Sequence, residues 1–352
     1  MNKKIRALVV DDSAMVREIL SRGLSMDPLI DVVGTAANPY IARDKIVELK
    51  PDVLTLDVEM PKMDGVKFLR HLMAQYPMPV LMVSALTQTG KKITFDALEA
   101  GAVDFVTKPS ANIAQGLNEM LAELREKVKM AAKANVKQRK QATSIQKKPT
   151  AEETQALSES TDKVIAIGAS TGGTEAIRQI VTRFPSAAPG VVIVQHMPPG
   201  FTKMFAERLH QQCAMSVKEA ETGDRVMPGR ILVAPGDYHM TVIRSGGEYR
   251  VRCSSGEKVC GHRPSVEVMF HSVAKSVGSN AVGVILTGMG HDGAEGMLAM
   301  REAGARTIAQ DEATSVVFGM PKVAYERGGA ERLVSIQNIA QLVMGMFMEK
   351  KQ

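Results

Sequence analysis

Tryptophan is absent from the 352 residues, and aromatic side chains make up only 4% of them. Proteins that hold nucleic acid by stacking set aromatic platforms among basic residues, so that class of function finds no support here. Cysteine is scarce too. Cys213, Cys253 and Cys260 are odd in number and lack metal-ligand spacing, which argues against a disulfide framework or a thiolate metal site and predicts reduced thiols in the cytoplasm. No apolar run approaches the roughly 18 residues that span a bilayer, so no membrane insertion is expected. The opening segment reaches Asp11 after four apolar residues, too few for a secretory leader. No heptad seam is visible, so a monomer is expected. The net charge is +6, and much of the excess lies between Lys127 and Lys148 in polar surroundings. That run reads as a solvated helix end and linker rather than a binding patch.

What is present is alternation. Strand-type runs at Ile5–Val10, Val32–Ala36, Val53–Leu56, Val80–Ser84 and Ala102–Val106 are separated by helical patterns. One such pattern, Ser13–Leu24, places Met15, Val16, Ile19, Leu20 and Leu24 on one face. Five short strands alternating with helices predict a doubly wound, flavodoxin-like parallel sheet over residues 1–125. Residues 126–162 read as a helix end followed by a polar linker without apolar periodicity. From 163 to 350 the β/α alternation resumes as a second α/β domain. Between Gly229 and Cys260 alternating runs split by Ser-Gly-Gly predict an antiparallel hairpin appended to a mostly parallel sheet.

In a parallel α/β sheet, residues just past the carboxyl ends of the strands gather at one edge. In the first domain Asp11, Asp12, Asp57, Ser84 and Lys108 all fall there. Clustered carboxylates repel unless a cation offsets them, and an oxygen-only site with few protein ligands favours Mg²⁺. A lysine and a hydroxyl beside them suit a phosphoryl group. Together with Asp57-Val-Glu-Met-Pro-Lys-Met-Asp64-Gly65, these residues resemble the response-regulator receiver domain over about residues 4–125. The resemblance implies that Asp57 accepts a phosphoryl group from a histidine kinase. Asp11, Asp12 and Asp57 would hold Mg²⁺, Ser84 and Lys108 would contact the phosphoryl oxygens, and Phe105 would occupy the aromatic switch position.

In the second domain the run Val164 to Ala169 ends in Gly168-Ala-Ser170-Thr-Gly172, and a helical pattern follows at once. That is the form of a nucleophile elbow, where small residues allow a tight turn that presents a serine hydroxyl. Two further apolar runs end in Gln195-His196 and in Gly288-Met-Gly-His-Asp292. A phosphate-cradling loop is the alternative for the glycines, but the loop lacks a P-loop lysine and dinucleotide-fingerprint spacing. The conjunction predicts a hydrolase with Ser170 as nucleophile, His196 as base and Asp292 as orienting acid. His291 competes for the base, but it follows the same strand as Asp292. His262 and Arg263 are candidates to line the substrate groove.

The order Ser, His, Asp differs from that of α/β-hydrolases. A receiver followed by Gly-Ala-Ser-Thr-Gly-Gly, Gln-His-Met-Pro and Leu-Thr-Gly-Met-Gly-x-Asp-Gly instead resembles the chemotaxis protein-glutamate methylesterase (CheB) family along nearly the whole chain. The resemblance implies hydrolysis of γ-methyl glutamyl esters on chemoreceptor cytoplasmic helices and deamidation of receptor glutamines, restrained until Asp57 is phosphorylated. Thr171, Gln195 and Met289 would be oxyanion or substrate neighbours, and the ester chemistry would need no cofactor. A response regulator with a nucleotide- or nucleic-acid-binding output, and an esterase for small metabolites, are the rival readings.

Overall fold

The structure is a computed structural model that describes residues 3–60, 65–85, 87–109, 113–136 and 162–348. Most of the predicted linker, 137–161, and Asp64 of the receiver-like motif lie outside the described residues. The chain divides into two compact units, Met1–Ala142 and Thr143–Gln352. No helix among the described residues is long and apolar enough to cross a membrane.

The first unit runs β1 (Ile5–Val10), α1 (Ala14–Ser25), β2 (Ile30–Ala36), α2 (Pro39–Leu49), β3 (Val53–Asp57), α3 (Gly65–Gln75), β4 (Val80–Ser84), α4 (Gln88–Ala100), β5 (Asp104–Thr107) and α5 (Ile113–Ala131). The five strands form one parallel sheet in the order β2-β1-β3-β4-β5. Every residue of β3 and β4 is buried, as helices on both faces of a parallel sheet require. Ser13, Asn38 and Thr87 cap their helices by accepting from first-turn backbone N–H groups, which sharpens each strand-to-helix turn.

Two expectations fail here. Met15 is 73% exposed, because the buried stripe of α1 follows Leu20, Gly23 and Leu24. Helical spacing turns Met15 about 100° from Val16. Lys127 is not part of a solvated run. It lies in α5 with Nζ donating to Phe105 O at 2.6 Å and pairing with Glu123 at 2.9 Å and Asp104 at 3.4 Å. Three acceptors draw its charge under the edge of the sheet.

The second unit runs β6 (Val164–Ala169), α6 (Gly173–Val181), β7 (Gly190–Gln195), α7 (Phe201–Gln212), β8 (Ser216–Glu219), β9 (Arg225–Val226), β10 (Arg230–Val233), β11 (His239–Ser245) and β12 (Glu248–Ser254). It continues with α8 (Val266–Ser276), β13 (Ala281–Ile285), α9 (Ala294–Glu302), β14 (Arg306–Gln310), α10 (Met320–Glu326), β15 (Arg332–Val334) and α11 (Ile336–Met348). Seven strands make a parallel sheet in the order β15-β14-β13-β6-β7-β10-β8. The hairpin is there, β11 against β12 with Val242 opposite Val251, but with β9 it forms a separate three-stranded sheet. Arg230–Val233 does not belong to it. Ile231, Leu232 and Val233 are all buried and pair with β7, since a continuous apolar run suits a strand covered on both faces. The central strands β13, β6 and β7 are neighbours, so whatever follows them converges at one edge.

Candidate active site and acceptor site

The register of β6 and β7 ends with Ala169 opposite Gln195. Ser170 and His196 are therefore the next residues on adjacent strands, and the His196 N–H donates to Ala169 O at 3.2 Å. The turn after Ser170 is closed by the Gly173 N–H on Ser170 O at 2.7 Å. Only glycine fits that turn. Gly172 has φ +76°, and a Cβ on Gly173 would stand 2.1 Å from Gln195 Oε1. Gln195 braces the same turn, its Nε2 donating to Ser170 O at 2.9 Å. Thr171 ties it to the loop after β13, its carbonyl accepting from Thr287 Oγ1 at 3.0 Å.

That loop reaches the serine from the other side. A Cβ on Gly288 would meet Ser170 Cβ at 2.8 Å, so the backbone at Gly288 lies directly against Ser170. The Met289 N–H makes no hydrogen bond among the described residues, which suits a donor held for an oxyanion. Three residues on, the buried Asp292 gathers four donors. His196 Nε2 and the Val266 N–H meet Oδ2, each at 2.7 Å, while Ser265 Oγ at 2.7 Å and the Glu267 N–H at 3.0 Å meet Oδ1. Burial works against this charge, but the bonds from His196, Ser265 and Val266 outweigh it and hold the carboxyl below its usual range. Three of the four donors come from the amino-terminal end of α8, where unpaired N–H groups favour an anion.

A carboxylate can only accept, so His196 Nε2 carries the proton and Nδ1 is left as the basic nitrogen. Nδ1 is buried and has no hydrogen-bond partner among the described residues. His291, by contrast, is exposed. His262 stacks on His196, with ring centroids 3.7 Å apart and planes 12° from parallel. Arg263 faces Asp237, with Nε at 3.0 Å and Nη2 at 2.5 Å from Oδ1, and also donates to Gly256 O. Sequence reasoning overlooked Ser265. Its signal was the N-cap pattern of a serine ahead of the apolar spacing Val266, Met269, Phe270, Val273.

In the first unit the carboxylates of Asp11, Asp12 and Asp57 bring oxygens within 4.8 Å of one another. Lys108 Nζ bridges two of them, 2.9 Å from Asp11 Oδ2 and 2.9 Å from Asp57 Oδ1. Burial pushes the Asp57 carboxyl up to about 6 and the charge of Asp11 adds to it, against the pull of Lys108. Burial also opposes the Lys108 charge, but Asp57 and Asp11 outweigh it and raise its pKa. An oxygen-only set, with two carboxylates buried and too little positive charge to balance them, fits a hard divalent cation that keeps several waters. Ser84 is buried at the end of β4, its Oγ 2.7 Å from Thr94 Oγ1. Phe105 is buried as well, with Lys127 Nζ 5.4 Å from its ring centroid.

Comparison with known proteins finds a family for each unit. Residues 7–122 match the family model for the response regulator receiver domain, and residues 165–343 the model for CheB methylesterase. The chain is 67% identical over 352 residues to a protein of Syntrophotalea carbinolica named protein-glutamate methylesterase/protein-glutamine glutaminase, covering 100% of both. It is 53% identical over 344 residues to the Escherichia coli protein of the same name, covering 97% of this chain and 96% of the other. Among solved structures it is similar to the Thermotoga maritima CheB methylesterase catalytic domain, with a TM-score of 0.52 and 38% identity over 53% of this chain and 100% of that one. With a methylesterase match behind a receiver match and full-length likeness to such relatives, the chain belongs to the CheB methylesterase family.

Proposed function

We propose that this chain hydrolyses γ-methyl esters of glutamate on the cytoplasmic helices of chemoreceptors, releasing methanol, and deamidates receptor glutamines, both under the control of phosphorylation at Asp57. In this reading residues 163–350 are the catalytic domain, residues 1–125 the receiver, and 126–162 the connection between them. The observation that carries it is the His196 ring. It is bonded through Nε2 to a buried carboxylate, its basic nitrogen has no partner among the described residues, and it follows β7 as Ser170 follows the neighbouring β6.

The chemistry follows from that tautomer. His196 Nδ1 takes the Ser170 proton as Oγ attacks the γ-carbonyl carbon, and Asp292 stabilises the imidazolium. The Met289 N–H faces the developing oxyanion, a donor whose loss costs about 10²–10³-fold in rate. The proton on Nδ1 then passes to the departing methoxide, and methanol leaves a glutamyl ester on Ser170. A water, deprotonated by Nδ1, attacks that ester, and the proton returns to Ser170 as glutamate is released. With glutamine the same steps expel ammonia.

In the receiver, Asp57 would accept a phosphoryl group from a histidine kinase. Lys108 and Ser84 would contact its oxygens, and Phe105 would report the change. Asp11, Asp12 and Asp57 would hold Mg²⁺, which when bound neutralises charge around the transferred group. The enzyme would work from the cytoplasm.

Methanol release from methylated chemoreceptor membranes tests this, with wild type and Ser170→Ala each assayed with and without a small phosphodonor plus Mg²⁺. Release that needs Ser170 and rises with phosphodonor is expected, and Asp57→Asn should abolish the rise. Hydrolysis of a short soluble ester with no release from receptor membranes would overturn the reading in favour of a small-ester hydrolase.

A further inference from the structure

We propose that His262 is a positioning residue for the esterase reaction, its ring being the platform that fixes the plane of the His196 imidazole and faces the imidazolium as it forms. The inference rests on the Ser170–His196–Asp292 reading above.

A single hydrogen bond at Nε2 fixes one atom of His196 and leaves the ring free to swing, because the χ2 torsion of histidine is broad. A swing carries Nδ1 away from Ser170 without breaking the bond to Asp292. A flat contact over the ring removes that freedom, and the observed stack at 3.7 Å and 12° is such a contact. When Nδ1 takes a proton, an aromatic π-face stacked on the ring attracts the cation beneath it. An aliphatic cover would fill the space without that attraction.

His262 is itself rigidly delivered. Val259 and His262 exchange two backbone bonds, Val259 N–H to His262 O at 3.1 Å and His262 N–H to Val259 O at 3.0 Å. The two residues between them, Cys260 at φ +51° and Gly261 at φ +81°, make a primed two-residue turn. Immediately after it, Arg263 is tied to Asp237 and Gly256 O, and Ser265 to Asp292. One nine-residue stretch, 259–267, therefore supplies both the ring over His196 and three of the four bonds to Asp292. The two restraints act on different freedoms of the same imidazole.

The test is steady-state methanol release by the full chain carrying His262→Phe, His262→Leu or His262→Ala, with Ser170→Ala beside them and melting temperatures for all. His262→Ala should lower kcat by about tenfold or more, as misplaced catalytic groups do, with KM unchanged. His262→Phe should keep most of the wild-type kcat, and His262→Leu should not. Wild-type kcat in His262→Ala, a loss confined to KM, or a His262→Phe variant no faster than His262→Leu would each overturn the proposal. If His262→Ala fails to fold, the phenylalanine–leucine pair still decides. Activity surviving in Ser170→Ala would sink the underlying triad reading instead, so the two failures are separable.

Discussion

At Asp292 four donors meet two carboxylate oxygens, and none of them is idle. Three are set by the first turn of α8 and one is the imidazole that must stay oriented. An amide in that place would turn an N–H toward donors, so Asp292→Asn should lower kcat by about 10⁴-fold, as loss of tautomer control does in such triads. Single-turnover methanol release checks it. Ser265→Ala is a milder change at the same oxygen. It removes the Oγ bond to Asp292 and the bond that Ser265 accepts from the Val268 N–H. We expect about 1–2 kcal/mol of lost stability from the missing cap and a kcat down by about tenfold. A normal kcat with a lowered melting temperature would mean that the serine serves the helix alone.

Among the elements, the loop after β13 is held against the elbow by contacts that leave no room for a side chain. A Cβ at Gly288 would meet Met320 Sδ at 2.4 Å, Ser170 Cβ at 2.8 Å and Ser170 N at 3.1 Å. The methionine can move, but Ser170 is fixed by the backbone bond from its N–H to Thr287 O at 3.1 Å and by the closed turn that follows it. Gly288→Ala should therefore displace the nucleophile, cost about 1–3 kcal/mol as overpacking does, and abolish most turnover. Gly247, in the hairpin turn with nothing within 4 Å of a Cβ, is the control, and Gly247→Ala should leave both melting temperature and kcat unchanged. Equal losses in the two would show that glycine content rather than the contact with Ser170 matters.

For the whole molecule a dependence of stability on pH is expected from the receiver. The Asp57 carboxyl goes from a usual 3.8 to about 6 on folding, so the folded state binds the proton more tightly than the unfolded chain does. Its contribution to stability is fully present below 3.8 and is lost as pH rises through 6. The gap corresponds to about 3 kcal/mol. Unfolding of the receiver unit, followed between pH 4 and 8, should show this loss in wild type and lack it in Asp57→Asn, where Lys108 keeps Asp11 as its partner. A divalent cation should stabilise wild type more at pH 8 than at pH 5, because it competes with the proton for Asp57. A flat wild-type profile would show that Lys108 already balances the carboxylates.

Much of this was legible in the chain because parallel strands buried on both faces are unbroken apolar runs, and the polar residue that ends each run marks the edge of the sheet. Asp11, Asp57, Ser84, Ser170 and His196 each lie at or just past the end of such a run. Asp292 could be placed too, since it closes the glycine-rich loop after β13. The misses have a common cause. Met15 lies on the wrong side of α1, Lys127 is drawn inward by Asp104, Glu123 and Phe105 O, and Ser265 binds a carboxylate 27 residues away. Periodicity tells which residues leave water but not which partner they meet. The sequence by itself determined the two parallel sheets, their ends and the chemical inventory at each edge, because those depend on local pattern. Only the tertiary structure decided which nitrogen of His196 is basic, what anchors Asp292 and what lies over the imidazole, because those depend on side chains brought together by packing.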